Sequence, residues 1–216
     1  LINDISFSFA NAQETGTVPK YFEFDIMAQA DNSNTYFDNC LLRIGYNTTA
    51  FGSNVVPNVT ITKGANFNSV TYIDPDANAI NQTSSVMGVP FGTDFNQTSW
   101  NRTLITTTPQ QLLHFKIEIQ NCNELSNIDF TDISSTPLFS LYAANPTENP
   151  LTGTLFKYVN TFYLNSLNQL LCPTLQITSF NSPVNGGVGD IVTITGNNFG
   201  NTRGNGQVKF KNADDG

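Results

Sequence analysis

Gln110-Gln111-Leu112-Leu113-His114-Phe115-Lys116-Ile117-Glu118-Ile119-Gln120 carries the decisive pattern of this chain. Leu113, Phe115, Ile117 and Ile119 alternate with His114, Lys116, Glu118 and Gln120. Successive side chains of an extended backbone point to opposite faces, so a period of two predicts a strand that is apolar on one face and polar on the other. The same period recurs where Ile5, Phe7 and Phe9 alternate with Asp4, Ser6 and Ser8, and where Phe22, Phe24 and Ile26 alternate with Glu23 and Asp25. Further strands are expected over 40–46, 59–62, 69–73, 104–107, 138–143 and 154–164. Only 110–113 and 167–171 read as short helical stretches. Between these segments lie turn-forming clusters such as Asp31-Asn32-Ser33-Asn34 and Asn145-Pro146-Thr147-Glu148-Asn149-Pro150. Many short strands at this spacing predict an all-β fold built as an antiparallel sandwich.

Composition limits the chemistry. Of 216 residues, 9 are Lys or Arg, 17 are Asp or Glu and one is His, for a formal charge of −8. A single imidazole excludes two-His zinc, copper and facial-triad iron centers. The Lys and Arg residues form no cluster, which argues against a nucleic-acid or anionic-membrane binder, since phosphate contacts dominate such affinity. Asn and Thr, 29 and 26 residues, take the place of charge, and 17 Phe with 7 Tyr supply a core. No apolar run reaches the ~20 residues of a membrane span, and Leu1 to Ala10 has no basic segment followed by an apolar one. The chain therefore reads as mature, soluble and secreted or displayed at a cell surface. Five N-x-[S/T] triplets begin at Asn47, Asn58, Asn81, Asn96 and Asn101; chance pairing of 29 Asn with 41 Ser and Thr yields about as many, so they carry no signal.

Charge also marks a boundary. Six basic and fourteen acidic residues precede Cys172, whereas Arg203, Lys209 and Lys211 balance Asp190, Asp214 and Asp215 after it. With Pro173 blocking continuation of the preceding segment, the expected domains are 1–171 and 172–216. Cys40, Cys122 and Cys172 allow at most one internal disulfide, and three buried thiols are the alternative.

The second segment contains Ile177, the Ser182-Pro183 turn, Gly187 and Gly189 before Val192-Thr193-Ile194, then Gly196-Asn197-Asn198-Phe199-Gly200, Val208 and Phe210. This order and spacing resembles the IPT/TIG family of immunoglobulin-like domains. The resemblance implies an extracellular spacer or interaction module without catalysis. It also implies a truncated domain, since such sandwiches have roughly 100 residues and seven strands. The first segment resembles cohesin-like and carbohydrate-binding sandwiches of secreted multidomain bacterial proteins, through Ile5 to Ala10, Tyr21 to Ala28, Leu41-Leu42-Arg43-Ile44-Gly45-Tyr46-Asn47 with Phe51, and Leu112 to Ile119. A cohesin or jelly-roll-like sandwich implies docking of a partner domain on one sheet face.

Several residues could carry chemistry. His114 shares a face with Lys116 and Glu118, and Glu23 with Asp25 offers a carboxylate pair for glycoside hydrolysis, with Glu118 across the sheet; solvated polar-face residues are the alternative. No Gly-x-Ser-x-Gly elbow supports a triad around His114. Asp74, Asp76 and Asn78 place oxygen ligands at alternate positions, as loops that wrap structural calcium do, although Ala79 and Ser85 replace the Gly and Glu of an EF-hand. Asp31, Asn32, Asn34 and Asp38 form a second oxygen-rich loop; Asx turns are the alternative for both. Trp100, the only tryptophan, has Asn101 and Arg102 beside it and could stack on a sugar ring or a partner protein, with Tyr36, Tyr46 and Tyr72 as secondary platforms. The expected function is noncatalytic recognition, adhesion or spacing within a larger secreted or cell-surface bacterial protein, through a glycan or protein partner. The alternative is the accessory N-terminal part of a secreted hydrolase, metalloprotease before glycoside hydrolase, with its catalytic domain beyond residue 216.

Overall fold

The computed structural model describes residues 5–31, 35–67, 70–94, 96, 97, 99, 101–131, 140–143, 147, 157–159, 161–174, 176–181 and 191–197. Contacts divide the chain into two compact units, Leu1–Cys172 and Pro173–Gly216. In the first unit the described strands are β1 (Ile5–Thr15), β2 (Tyr21–Ala30), β3 (Thr35–Gly45), β4 (Val59–Lys63), β5 (Ile80–Thr83), β6 (Val86–Gly92), β7 (Leu104–Ile105), β8 (Gln110–Glu118), β9 (Asp129–Phe130), β10 (Ser140–Ala143), β11 (Lys157–Val159) and β12 (Thr161–Tyr163). Two single-turn helices, α1 (Thr48–Phe51) and α2 (Pro75–Asn78), interrupt them.

One sheet has the order β12-β1-β2-β8-β4 and the other β11-β10-β3-β6-β5, with β7 and β9 also paired to β3. Among the described residues the strand pairings are antiparallel except β1 with β12, which run parallel. The alternation read from the sequence sets the inward face of the first sheet: Ile5, Phe7, Phe9, Phe22, Phe24, Ile26, Ile61, Phe115 and Ile117 are buried. They meet Phe37, Cys40, Leu42, Ile44, Met87, Val89 and Phe91 from the second sheet in one continuous core. Phe24 stacks on Phe115 at 5.0 Å between ring centroids, while Phe9 stacks on Phe130 of the opposite sheet at 4.1 Å. Offset aromatic packing of this kind adds to the area term, so the fold is an all-β sandwich whose center is phenylalanine. Gly16, at φ +76°, turns β1 into β2 in a conformation that other residues resist.

Three expectations need correction. Residues 110–113 begin β8 instead of a helix: Leu112 and Leu113 are both fully buried because the ladder shifts register there, opposite Ile26 and Met27. Residues 167–171 form isolated bridges, Ile128 with Leu167 and Leu125 with Leu170, and no helix. Within 69–73 the described residues form a turn with one bridge, Tyr72 to Thr93. Cys122 and Cys172 form the disulfide, and Cys40 remains a thiol in the core, where burial pushes its pKa up.

In the second unit β13 (Gln176–Asn181) pairs antiparallel with β14 (Thr193–Asn197). Phe180 and Ile177 stand exposed on this ribbon. The Ser182-Pro183 turn, Gly187, Gly189, Asn198, Phe199, Gly200 and the strand expected at Val208 to Phe210 lie outside the described residues.

Candidate functional site

The outward face of the five-stranded sheet gathers the polar residues that the alternation puts there. Register pairs Glu23 with Lys116, Asp25 with His114 and Tyr21 with Glu118 across β2 and β8, while Thr60 and Thr62 of β4 oppose Lys116 and His114. Asp25 accepts from Asn11 Nδ2 at 2.6 Å and from Gln111 Nε2 at 2.7 Å, and its Oδ1 lies 2.8 Å from His114 Nδ1. Asn11 reaches it because β1 bulges between Ala10 and Gln13, with Asn11 at φ +53°. Glu23 accepts from Thr15 Oγ1 at 2.5 Å and pairs with Lys116 Nζ at 3.1 Å; its Oε2 is 3.7 Å from His114 Nε2. Lys116 Nζ also sits 4.4 Å from the center of the Tyr21 ring.

This cluster is ordered, charged and already partnered. The Thr15 hydroxyl, with Lys116 and His114, holds the Glu23 carboxyl below its usual range despite some desolvation. Desolvation opposes ionization at Asp25, but the hydrogen bonds from Asn11, His114 and Gln111 outweigh it and lower the pKa. A glycosidase requires one carboxyl raised so that it can donate a proton. Neither member of this pair is raised. His114 has the Asp-oriented ring of a triad, but its other nitrogen faces the Glu23 carboxylate, where a triad needs a hydroxyl or thiol.

Both depressed carboxyls make stability depend on acid. Each contributes stability that is present above its unfolded-state value, 4.5 for Glu23 and 3.8 for Asp25, and lost as pH falls through the lower folded value. The urea midpoint is therefore expected to hold from pH 7 to about 5 and to fall steadily below about 4.5. Asp25→Asn should flatten part of that decline; an unchanged slope would show that the network contributes nothing.

The other site residues read from the sequence have different fates. Trp100 lies outside the described residues. Arg102 is buried, its Nε 2.7 Å from Asp38 Oδ1, with side-chain exposures of 0% and 1%. Tyr72 is buried too; its hydroxyl donates to Phe37 O at 3.1 Å and accepts from Thr103 N at 2.7 Å. Tyr46 is likewise in the core. Arg102, Tyr46 and Tyr72 thus offer no face to a ligand, because packing and internal hydrogen bonds consume them. Tyr36 alone among these is half-exposed, on β3 beside Leu104 of β7 and Ala143 of β10.

The oxygen-rich loops serve the backbone. Asp74 caps α2 by accepting from Asp76 N at 3.1 Å, and Asn78 Nδ2 donates to Asp74 O at 2.7 Å. Asp76 Oδ1 accepts from Ile61 N at 2.7 Å. Since β4 ends its sheet, that carboxylate occupies a donor that an open edge would present to another chain. One oxygen of each carboxylate is thus engaged by a backbone N–H group, and Asn78 donates through its amide nitrogen. In the second loop Asp31 accepts from Ser6 Oγ and Asp38 is buried with Arg102, while Asn32 and Asn34 lie outside the described residues. Among the described residues no three His, Cys, Asp or Glu side chains gather as a metal set. Asp76→Ala is expected to cost about 1–2 kcal/mol by leaving the Ile61 donor unpaired. Thermal melts should show that loss equally with calcium or with chelator; a calcium-dependent difference would restore the ion-binding reading.

The sequence placed Glu23, Asp25, His114 and Lys116 on their faces, whereas Asn11 and Gln111 enter the cluster through register shifts that alternation does not reveal. The Asp38–Arg102 pair spans 64 residues and has no local signal.

No family model matches the chain, and no curated protein matches it. Among solved structures it is similar to the second type II cohesin module from the cellulosomal adaptor ScaA scaffoldin of Acetivibrio cellulolyticus, at 14% identity over 78% of this chain and 97% of that one, with a TM-score of 0.43. A cohesin module from a family 33 glycoside hydrolase of Clostridium perfringens aligns at 13% identity over 76% of this chain and 98% of that one, with a TM-score of 0.41.

Proposed function

We propose that the sandwich is a noncatalytic protein-recognition module of a multidomain extracellular protein, and that the outward face of its five-stranded sheet is the recognition surface. The observation that supports this is the network on that face. Glu23 and Asp25 are both held ionized by cross-strand donors, which suits recognition of a complementary surface and not proton transfer. A protein partner suits the face because its surface is built of charged, cross-linked side chains, with Lys116 set over the Tyr21 ring. The segment from Pro173 onward is an immunoglobulin-like spacer in this reading. A photo-reactive amino acid at Thr60, exposed at the edge of the face, tests the proposal in the parent protein at the cell surface. A single discrete protein adduct, lost with Glu23→Lys, is expected. Hydrolysis of a polysaccharide or peptide by the purified chain, abolished by Glu23→Gln, would overturn it.

A further inference from the structure

Cys172 is the last residue of the sandwich unit and Pro173 the first of the next, so tension along the polypeptide reaches the sandwich at Cys172. Going backward from Cys172, the chain passes through the 164–171 segment to β12. That segment lies against β1: Leu164 N donates to Phe7 O, Phe9 N donates to Asn165 Oδ1 at 2.7 Å, and Asn165 Nδ2 donates to Phe9 O at 2.9 Å. β12 itself pairs with β1 over three residues, Ile5 with Thr161, Ser6 with Phe162 and Phe7 with Tyr163. In a parallel pair the start of one strand and the end of the other lie at opposite ends. A pull between the beginning of β1 and Cys172 would first load the bond from Cys172 N to Glu14 Oε1 and the bridges of Leu167 and Leu170 to Ile128 and Leu125, and then slide β12 along β1, so that only these short contacts carry the load.

The disulfide offers another path. Cys172 is bonded to Cys122, 50 residues earlier, with Cα atoms 5.0 Å apart. Cys122 lies four residues beyond the end of β8, which sits inside the five-stranded sheet between β2 and β4. Force that crosses the bond enters β8 and must reach β1 through two long ladders. β8 pairs with β2 from Tyr21 with Glu118 to Ala28 with Gln110, and β2 pairs with β1 from Ile5 with Ala30 to Thr15 with Tyr21. We propose that Cys122–Cys172 carries tension past β12, so that β9 to β12 lie in a closed loop that neither bears load nor lengthens while the long ladders hold. This rests on the reading that the sandwich is one module of a tethered polypeptide.

Single-molecule stretching of the full 216-residue chain between handles tests it. The oxidized protein is compared with the same protein after dithiothreitol, which takes up two electrons' worth of oxidation as its own cyclic disulfide and leaves two cysteine thiols. The Cys122→Ser/Cys172→Ser double variant, shown folded by circular dichroism, provides the second measurement. Reduction is expected to add about 18 nm to the extension released on unfolding, from 50 further residues at about 3.6 Å each. It should also lower the force of the first event, as β12 slides before the ladders open. An unchanged extension would show that Cys122 and Cys172 are not bonded to each other, whereas the force of the first event reports the load path. Added extension with no drop in force would show that β12 is not the weaker contact. Either result overturns the proposal, and neither depends on whether Thr60 captures a partner.

Discussion

Arg102→Ala should lower the unfolding free energy of the sandwich by about 3–5 kcal/mol, the cost of leaving one partner of a buried ion pair uncompensated. For a unit of this size the melting temperature is expected to fall on the order of 10 °C. The Asp38 carboxylate has no water to turn to: its Oδ1 accepts from Arg102 Nε at 2.7 Å and from Thr93 Oγ1 at 2.8 Å, and both charged side chains are enclosed. Without the guanidinium a buried charge keeps one neutral donor at that oxygen, and desolvation dominates. The pair is also placed where its loss spreads, since Thr93 N and Oγ1 both donate to Asp38 O and Thr103 N donates to the Tyr72 hydroxyl next along the chain. The Asp38→Leu/Arg102→Met double variant should recover much of the loss, because the penalty belongs to the orphaned charge and not to missing packing. Urea unfolding of the single and double variants makes the comparison. A ligand-facing arginine on the surface would behave differently: its removal would change stability by less than about 0.5 kcal/mol.

That contrast bears on what the sequence makes legible. β1, β2 and β8 are readable because one face of each is buried and the other wet, so periodicity survives in the residue order. β6, Val86-Met87-Gly88-Val89-Pro90-Phe91-Gly92, was not expected as a strand. It carries two glycines and a proline, and both of its faces are largely enclosed, which removes the alternation. Gly88 lies under Gln82 of β5, whose carbonyl accepts from Arg43 Nε, so what resembles a turn in sequence is a strand made thin where another side chain crosses it. β5, Ile80-Asn81-Gln82-Thr83, is polar and short, and its strand character comes from pairing with β6. On the candidate site the legible part is which residues share a face. Illegible were the partners supplied by irregularity, Asn11 at the bulge and Gln111 at the register shift, and the long-range closure of Asp38 by Arg102. Arg102 follows Trp100 and Asn101 in a polar run and reads as exposed; only tertiary structure shows it turned inward.

Phe37→Ala is the second large effect, expected at about 3–5 kcal/mol from lost transfer energy and the cavity left behind. Phe37 is fully buried on β3 and meets three rings: Phe67 edge-on at 5.7 Å, Phe91 stacked at 5.7 Å and Tyr72 tilted at 6.0 Å between centroids. Those rings also touch one another, with Tyr72 stacked on Phe91 at 5.4 Å and set against Phe67 at 5.6 Å, so each is positioned by the others. Collapse into the void is costly here because the Tyr72 hydroxyl is tied to Phe37 O and Thr103 N and cannot follow its ring inward without giving up both bonds. The cost should therefore fall in the upper part of the range, above that of Phe130→Ala, where the ring is only half-buried. Phe180 provides the control. At 71% exposure on the β13 ribbon it has little contact to lose, and Phe180→Ala should shift the main unfolding transition by less than about 0.5 kcal/mol. Calorimetry of the two variants separates these outcomes. Equal shifts would mean that the aromatic cluster around Phe37 is not the center of the sandwich's stability, whereas a large shift confined to Phe37→Ala places that stability where β3 crosses beneath Phe67, Tyr72 and Phe91.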